Sequence, residues 1–148
     1  MRNDEFECWL PRLREEYATD IMRNGGASEA DARKKAVVDT EQLFPNGQPS
    51  SDQFVFVVEA DAEPVGELWV AEREGDLGRG LWIYDVHIAE SHRGRGYGKE
   101  AMLLAEKEAR RRGLSRVALN VFGGNAAARG LYKSLGYLET AVLMSKRV

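Results

Sequence analysis

The chain reads as a mixed α/β domain, a sheet of strands flanked by helices. Three observations give that class. The hydrophobic period is helical up to residue 44, turns strand-like from residue 53, and then alternates between the two. An apolar strand, a glycine-rich turn and a helix follow one another between residues 81 and 112. No linker, repeat or low-complexity tract divides the 148 residues, so 1–148 is expected to be one domain with a real core.

The elements follow in order. Phe6, Trp9, Leu10, Leu13, Tyr17 and Ile21 recur at helical spacing over residues 4–23, and Asn24-Gly25-Gly26 stops that helix. Ser28, three residues before Asp31, is an N-cap for a second helix running to Leu43-Phe44. The Pro- and Gly-bearing stretch 45–51 is a surface loop. Residues 54–58 form a strand, Glu63-Pro64 a turn, and Val65 to Arg73 a second strand. Gly75 to Gly78 closes the hairpin onto a third strand, Leu81 to Ile88, apolar enough for the middle of a sheet. The helix over 98–112 turns Ala101, Met102, Leu104, Ala105 and Ala109 inward, and Gly113 caps it. A strand over 117–122, a helix over 125–135 and a last strand over 137–146 complete the chain. The apolar alternation of that last strand suggests an edge that could pair with a second subunit, giving a homodimer.

Composition narrows the partners. The 43% hydrophobic and 30% charged content is that of an ordinary soluble globule. No apolar run reaches the ~20 residues that cross a bilayer, and no secretory leader is visible, so no membrane partner is expected. A single cysteine, Cys8, makes no internal disulfide and fits a cytoplasmic setting; with Trp9 and Trp69 it is expected in packing. A net charge of −3 disfavours nucleic acid and suits a cationic amine.

The chemistry centres on Arg93-Gly94-Arg95-Gly96-Tyr97-Gly98-Lys99. Glycines uncover backbone N–H groups and admit a bulky anion, and the next helix adds its unpaired donors and positive dipole end. Such a corner binds pyrophosphate. It is no P-loop, because only three residues separate Gly94 from Gly98-Lys99 and residue 100 is Glu, leaving no hydroxyl for Mg²⁺. A G-x-G-x-G spacing this far along the chain is no dinucleotide fingerprint either.

The Arg93–Gly98 run matches the Arg/Gln-x-x-Gly-x-Gly/Ala signature of the GCN5-related N-acetyltransferases. The block Asn120 to Tyr137 resembles that family's second motif: strand, Asn, a helix carrying Tyr, then Leu-Gly-Tyr. The resemblance covers residues 54–146 and implies a mixed, mostly antiparallel sheet flanked by helices, the acyl-CoA N-acyltransferase fold. It implies acetyl-CoA as cosubstrate, no metal, and direct attack by an amine. By resemblance, the backbone of residues 93–98 holds the CoA pyrophosphate, with Arg93, Arg95 and Lys99 at hand for charge-assisted bonds. Val86-His87-Ile88 pairs with the pantetheine arm and polarises the thioester carbonyl. Asn120, Asn125 and Ala128 meet the CoA arm, and the third strand carries a bulge.

Tyr132 is the expected general acid, donating to a thiolate whose thiol pKa is about 8.5. A lysine-type amine with pKa ~10.4 is neutral in only about 1 in 2,500 molecules at pH 7, so a base helps. Asp85 is the first choice, a carboxylate among Trp82, Ile83, Tyr84, Val86 and Ile88. His87, Tyr84 and Glu67 are alternatives; strict alternation puts Asp85 and His87 on one face and Tyr84 on the other. His92 reads as surface, and Arg110-Arg111-Arg112 complements a helix C-terminus. The acceptor, a small molecule or a peptide amine, stays open, as does a non-catalytic acyl-CoA sensor.

Overall fold

The structure, a computed structural model, describes residues 1–75, 78–144 and 146. Its elements are α1 (Asn3–Gly25), α2 (Glu29–Leu43), β1 (Gln53–Ala60), β2 (Glu63–Gly75), β3 (Gly78–Ile88), α3 (Tyr97–Arg111), β4 (Val117–Leu119) and α4 (Ala126–Ser134). The strands form one sheet in the order β1-β2-β3-β4. The first two pairings are antiparallel and the β3–β4 pairing is parallel, so the sheet is mixed and mostly antiparallel as expected.

Strand alternation splits the core into two layers. Val58, Val65, Leu68, Val70, Leu81 and Ile83 face Ala101, Met102, Ala105 and Ala109 of α3. Small residues on α3 let the helix lie close to the sheet. Val55 and Trp69 face the other way, onto Phe6, Trp9, Leu10 and Leu13 of α1 and onto Phe44. Ala18, Ala32 and Ala36 join α1 to α2, and Arg14 donates to Thr40 at 2.8 Å. Pro11 sits inside α1 on its exposed side, where its missing N–H costs no packing.

Helix ends follow the sequence closely. Ser28 Oγ accepts from the Asp31 amide at 3.2 Å. Gly26 and Gly113 both take left-handed backbone beyond their helices. Arg112 pairs with Glu72 and Glu108 and stacks over Phe54, so the basic run also ties α3 to the sheet.

Other expectations need correction. The β1–β2 turn is Asp61-Ala62, both at positive φ, and Glu63 and Pro64 already belong to β2. A two-residue turn of that hand matches the twist of the strands, and Pro64 is accommodated where the register shifts after Val58. Gly75 pairs with Gly78, while Asp76 and Leu77 lie outside the described residues. Leu104 is exposed on α3, and Cys8 is exposed on α1. Strand β4 stops at Leu119 instead of Phe122. No strand forms among the described residues of 137–146 (Ser145 lies outside them), so the proposed pairing edge is absent there. Leu138 and Leu143 are 85% and 98% exposed. A strand needs a neighbouring ladder, and three-residue β4 offers this segment too little of one.

Candidate active site

The site begins where the sheet opens. Parallel β4 pairs with β3 only at Leu81, Trp82 and Ile83. From Tyr84 to Ile88, β3 is paired with β2 alone, and no strand among the described residues covers its other edge. Val86, His87 and Ile88 lie on this free edge, which is a template for an extended chain carrying amides.

A bulge sits at the same place. Trp69 pairs with Asp85 and Val70 with Ile83, leaving Tyr84 as the extra residue. Tyr84 therefore shares the α1 face with Asp85, stacked on Trp69 at 4.4 Å, instead of pointing to the opposite face. Beyond the bulge, Val86 returns to the α3 face and His87, opposite Glu67, to the α1 face.

The glycine-rich turn lies at the end of the free edge. Gly94 and Gly96 have φ of 75° and 88°, which only glycine takes without strain. Gly96 leads into α3, so Tyr97, Gly98 and Lys99 present first-turn amides without helical partners. A cleft of about 280 Å³ lies between this turn, Ile88 and the α4 residues Ala127, Ala128 and Leu131. Arg93 Nε donates to the Ile88 carbonyl at 3.0 Å, tying turn to strand. Arg95 and Lys99 are exposed at its rim. His92 lines the cleft and is half-buried rather than a plain surface residue. Asn125 caps α4, its Oδ1 accepting from the Ala128 amide at 3.1 Å. Asn120 is exposed in the irregular segment after β4.

Two titratable groups stand out, Asp85 on the stretch of β3 that β4 leaves unpaired and Tyr132 on α4. Burial raises the Asp85 carboxyl to about 6, with His87 and Arg12 opposing that rise and Glu16 and Glu67 adding to it. Burial also raises Tyr132, and the Asp85 charge raises it further. The phenol thus stays protonated at neutral pH while the carboxyl is poised to exchange a proton. Tyr132 and Tyr137 both pack against the α3-side core, their rings 6.0 Å apart, and burial pushes Tyr137 up to about 12.

A second cleft, about 290 Å³, adjoins the first through Arg93 and is walled by Glu16, Thr19, Asp20, Arg23 and His87. Behind it, Arg12 reaches Glu67 at 2.8 Å, His87 Nδ1 at 3.4 Å and Glu16 at 3.7 Å, while His87 Nδ1 also meets Glu16 at 3.1 Å. Sequence reasoning missed Arg12, Glu16 and Asp20, although their four-residue spacing puts them on one polar stripe beside Trp9 and Leu13. It also missed Gly66, where a Cβ would stand 2.1 Å from the His87 carbonyl oxygen. Trp82 stands half-buried under the Arg73 guanidinium. Among the described residues no group of three His, Cys, Asp or Glu is arranged to hold a metal. No helix among them is long and apolar enough to cross a membrane.

Comparison with known proteins places this geometry. The model of the acetyltransferase (GNAT) family matches residues 10–137. The uncharacterized N-acetyltransferase YycN of Bacillus subtilis (strain 168) is 30% identical over 149 aligned residues, covering 100% of this chain and 96% of its own. The YycN crystal structure superposes with a TM-score of 0.91, covering 95% of that chain. The structure of AAC(6')-Iy in complex with a CoA-containing bisubstrate analog shares the fold at 18% identity, with a TM-score of 0.65 over 100% of this chain and 94% of that one. Matched along most of its length by the family model and end to end by YycN, the chain belongs to the acetyltransferase (GNAT) family and is an N-acetyltransferase.

Proposed function

We propose that this enzyme moves the acetyl group of acetyl-CoA directly to a primary amine, with Asp85 as general base and Tyr132 as general acid. The carrying observation is the parting of β3 and β4, with Asp85 on the unpaired stretch of β3 and the glycine-rich turn following that strand; the Asp85 charge also reaches Tyr132 on α4. Donors from the first turn of α3 suit a pyrophosphate, and the free edge of Val86–Ile88 suits the amides of a pantetheine arm. The CoA complex of the distant AAC(6')-Iy structure supports the same ligand for this fold.

In the reaction, the neutral amine nitrogen attacks the thioester carbonyl carbon. A backbone N–H of the β3 edge stabilises the oxyanion. The nitrogen gives up its extra proton to Asp85, the C–S bond breaks, and the departing thiolate takes the Tyr132 proton. Ionised Asp85 is the active form, so the reaction weakens below about pH 6. Arg95 and Lys99 at the rim add charge toward the pyrophosphate. The exposed lone cysteine fits a cytoplasmic setting.

The test is thiol release from acetyl-CoA against polyamines, amino acids, aminoglycosides and short peptides. Release that depends on one class establishes the transfer and names the acceptor, small or peptidic. Tight acetyl-CoA binding in calorimetry with no release across the panel would instead favour a sensor. No binding at all would overturn the assignment of the turn.

A further inference from the structure

The free end of β3 has one strand neighbour, β2, and would be the least constrained part of the sheet. It is pinned from above by α1. Arg12, on α1, touches Glu67 on β2, His87 on β3 and Glu16 one turn along its own helix. Glu67 depends on it. Its side chain is 22% exposed, one oxygen meets Arg12 at 2.8 Å, and the other is buried with no hydrogen-bond partner among the described residues.

We propose that Arg12 is the positioning residue of this active site: it clamps α1 to the open end of β3 and neutralises the carboxylates that crowd Asp85. This rests on the reading of Asp85 as base. The groups facing Asp85 are Arg12 and Glu16 from α1, Glu67 from β2, His87 from β3 and Tyr132 from α4. Two of the five are carboxylates whose charge opposes ionisation of Asp85, and Arg12 offsets both at short range. Without Arg12 only His87 is left to oppose them, and Asp85 holds its proton to higher pH. Without Glu67 one opposing charge is gone, and Asp85 ionises more readily.

The opposite signs make the test. Protein carrying ¹³Cγ-labelled aspartate is titrated by NMR without any acceptor, the Asp85 resonance being identified by its loss in Asp85→Asn. Arg12→Gln is expected to raise the Asp85 midpoint by about half a unit or more, Glu67→Gln to lower it by a similar amount, and Arg12→Lys to restore most of the wild-type value. A purely structural clamp would loosen the site in both variants and move both midpoints the same way. Shifts of one sign, or none in two folded variants, overturn the proposal. If Arg12→Gln proves unfolded, Glu67→Gln alone decides by the sign of its shift. Failure of the base assignment is separate: it would appear as unchanged turnover and pH profile in Asp85→Asn, whatever the NMR midpoints do.

Discussion

Asp85 carries a cost that can be measured apart from catalysis. Its folded value of about 6 lies above the unfolded value of 3.8. Between those values the folded chain holds the extra proton, so stability falls as pH rises from about 4 to about 6 and stays reduced above. A shift of that size corresponds to at most about 3 kcal/mol. Asp85→Asn is therefore expected to gain up to about 2–3 kcal/mol of stability at pH 8 and little at pH 4, in denaturant melts at both. The same variant should lose the acid limb of kcat/KM near pH 6 together with a rate loss on the order of 10²-fold or more. Tyr132→Phe, which keeps the packing and removes the proton, is expected to lower kcat about 10²-fold with acetyl-CoA affinity nearly unchanged. Unchanged kcat would remove Tyr132 from the mechanism. Tyr132 and the turn glycines could be named as candidates in the sequence because each lies in a local motif, and Asp85 because apolar residues flank it. Arg12 was not, because its partners are 55 and 75 positions away.

The glycine turn and the close β2–β3 approach are separable at the level of elements. At Gly98 an added Cβ meets only Leu131 at 3.5 Å and Ile88 at 4.0 Å, ordinary contacts. Gly98→Ala should fold normally, so weaker acetyl-CoA binding in calorimetry would report crowding of the ligand itself. Gly96→Ala adds the strain of a positive φ, roughly 1–2 kcal/mol. Gly66→Ala is a different case. Its Cβ would overlap the His87 backbone oxygen, which no side-chain rotation relieves. That variant should lose about 1–3 kcal/mol in thermal or denaturant melts, and its site should be displaced. The bulge at Tyr84 belongs to this scale too. One extra residue turned two consecutive side chains to the same face, a reversal that simple alternation cannot supply.

For the whole molecule, the exposed tail is the main departure from expectation. Leu138, Val142, Leu143 and Met144 are all largely exposed, while the sheet ends at three-residue β4. Glu139 is held by Arg129 and Lys133 on α4. Leu143→Ser should change stability by less than about 0.5 kcal/mol in dilute solution, because it removes no packed contact. A larger loss that grows with protein concentration would mean that a second copy covers the segment, which sedimentation would show directly.

Local chemistry decided most of the elements here. Periodicity, caps and the φ demands of two glycines act over a few residues, so the helices, the strand meander and the glycine-rich turn were readable in the chain. Tertiary structure decided which side chains meet. Where β4 leaves β3, which face Tyr84 takes, how Arg12 links three elements, and why no strand forms among the described residues of 137–146 all depend on neighbours distant in sequence. Hydrogen-bond ladders, burial and charge act through space, and only the packed sheet sets those distances.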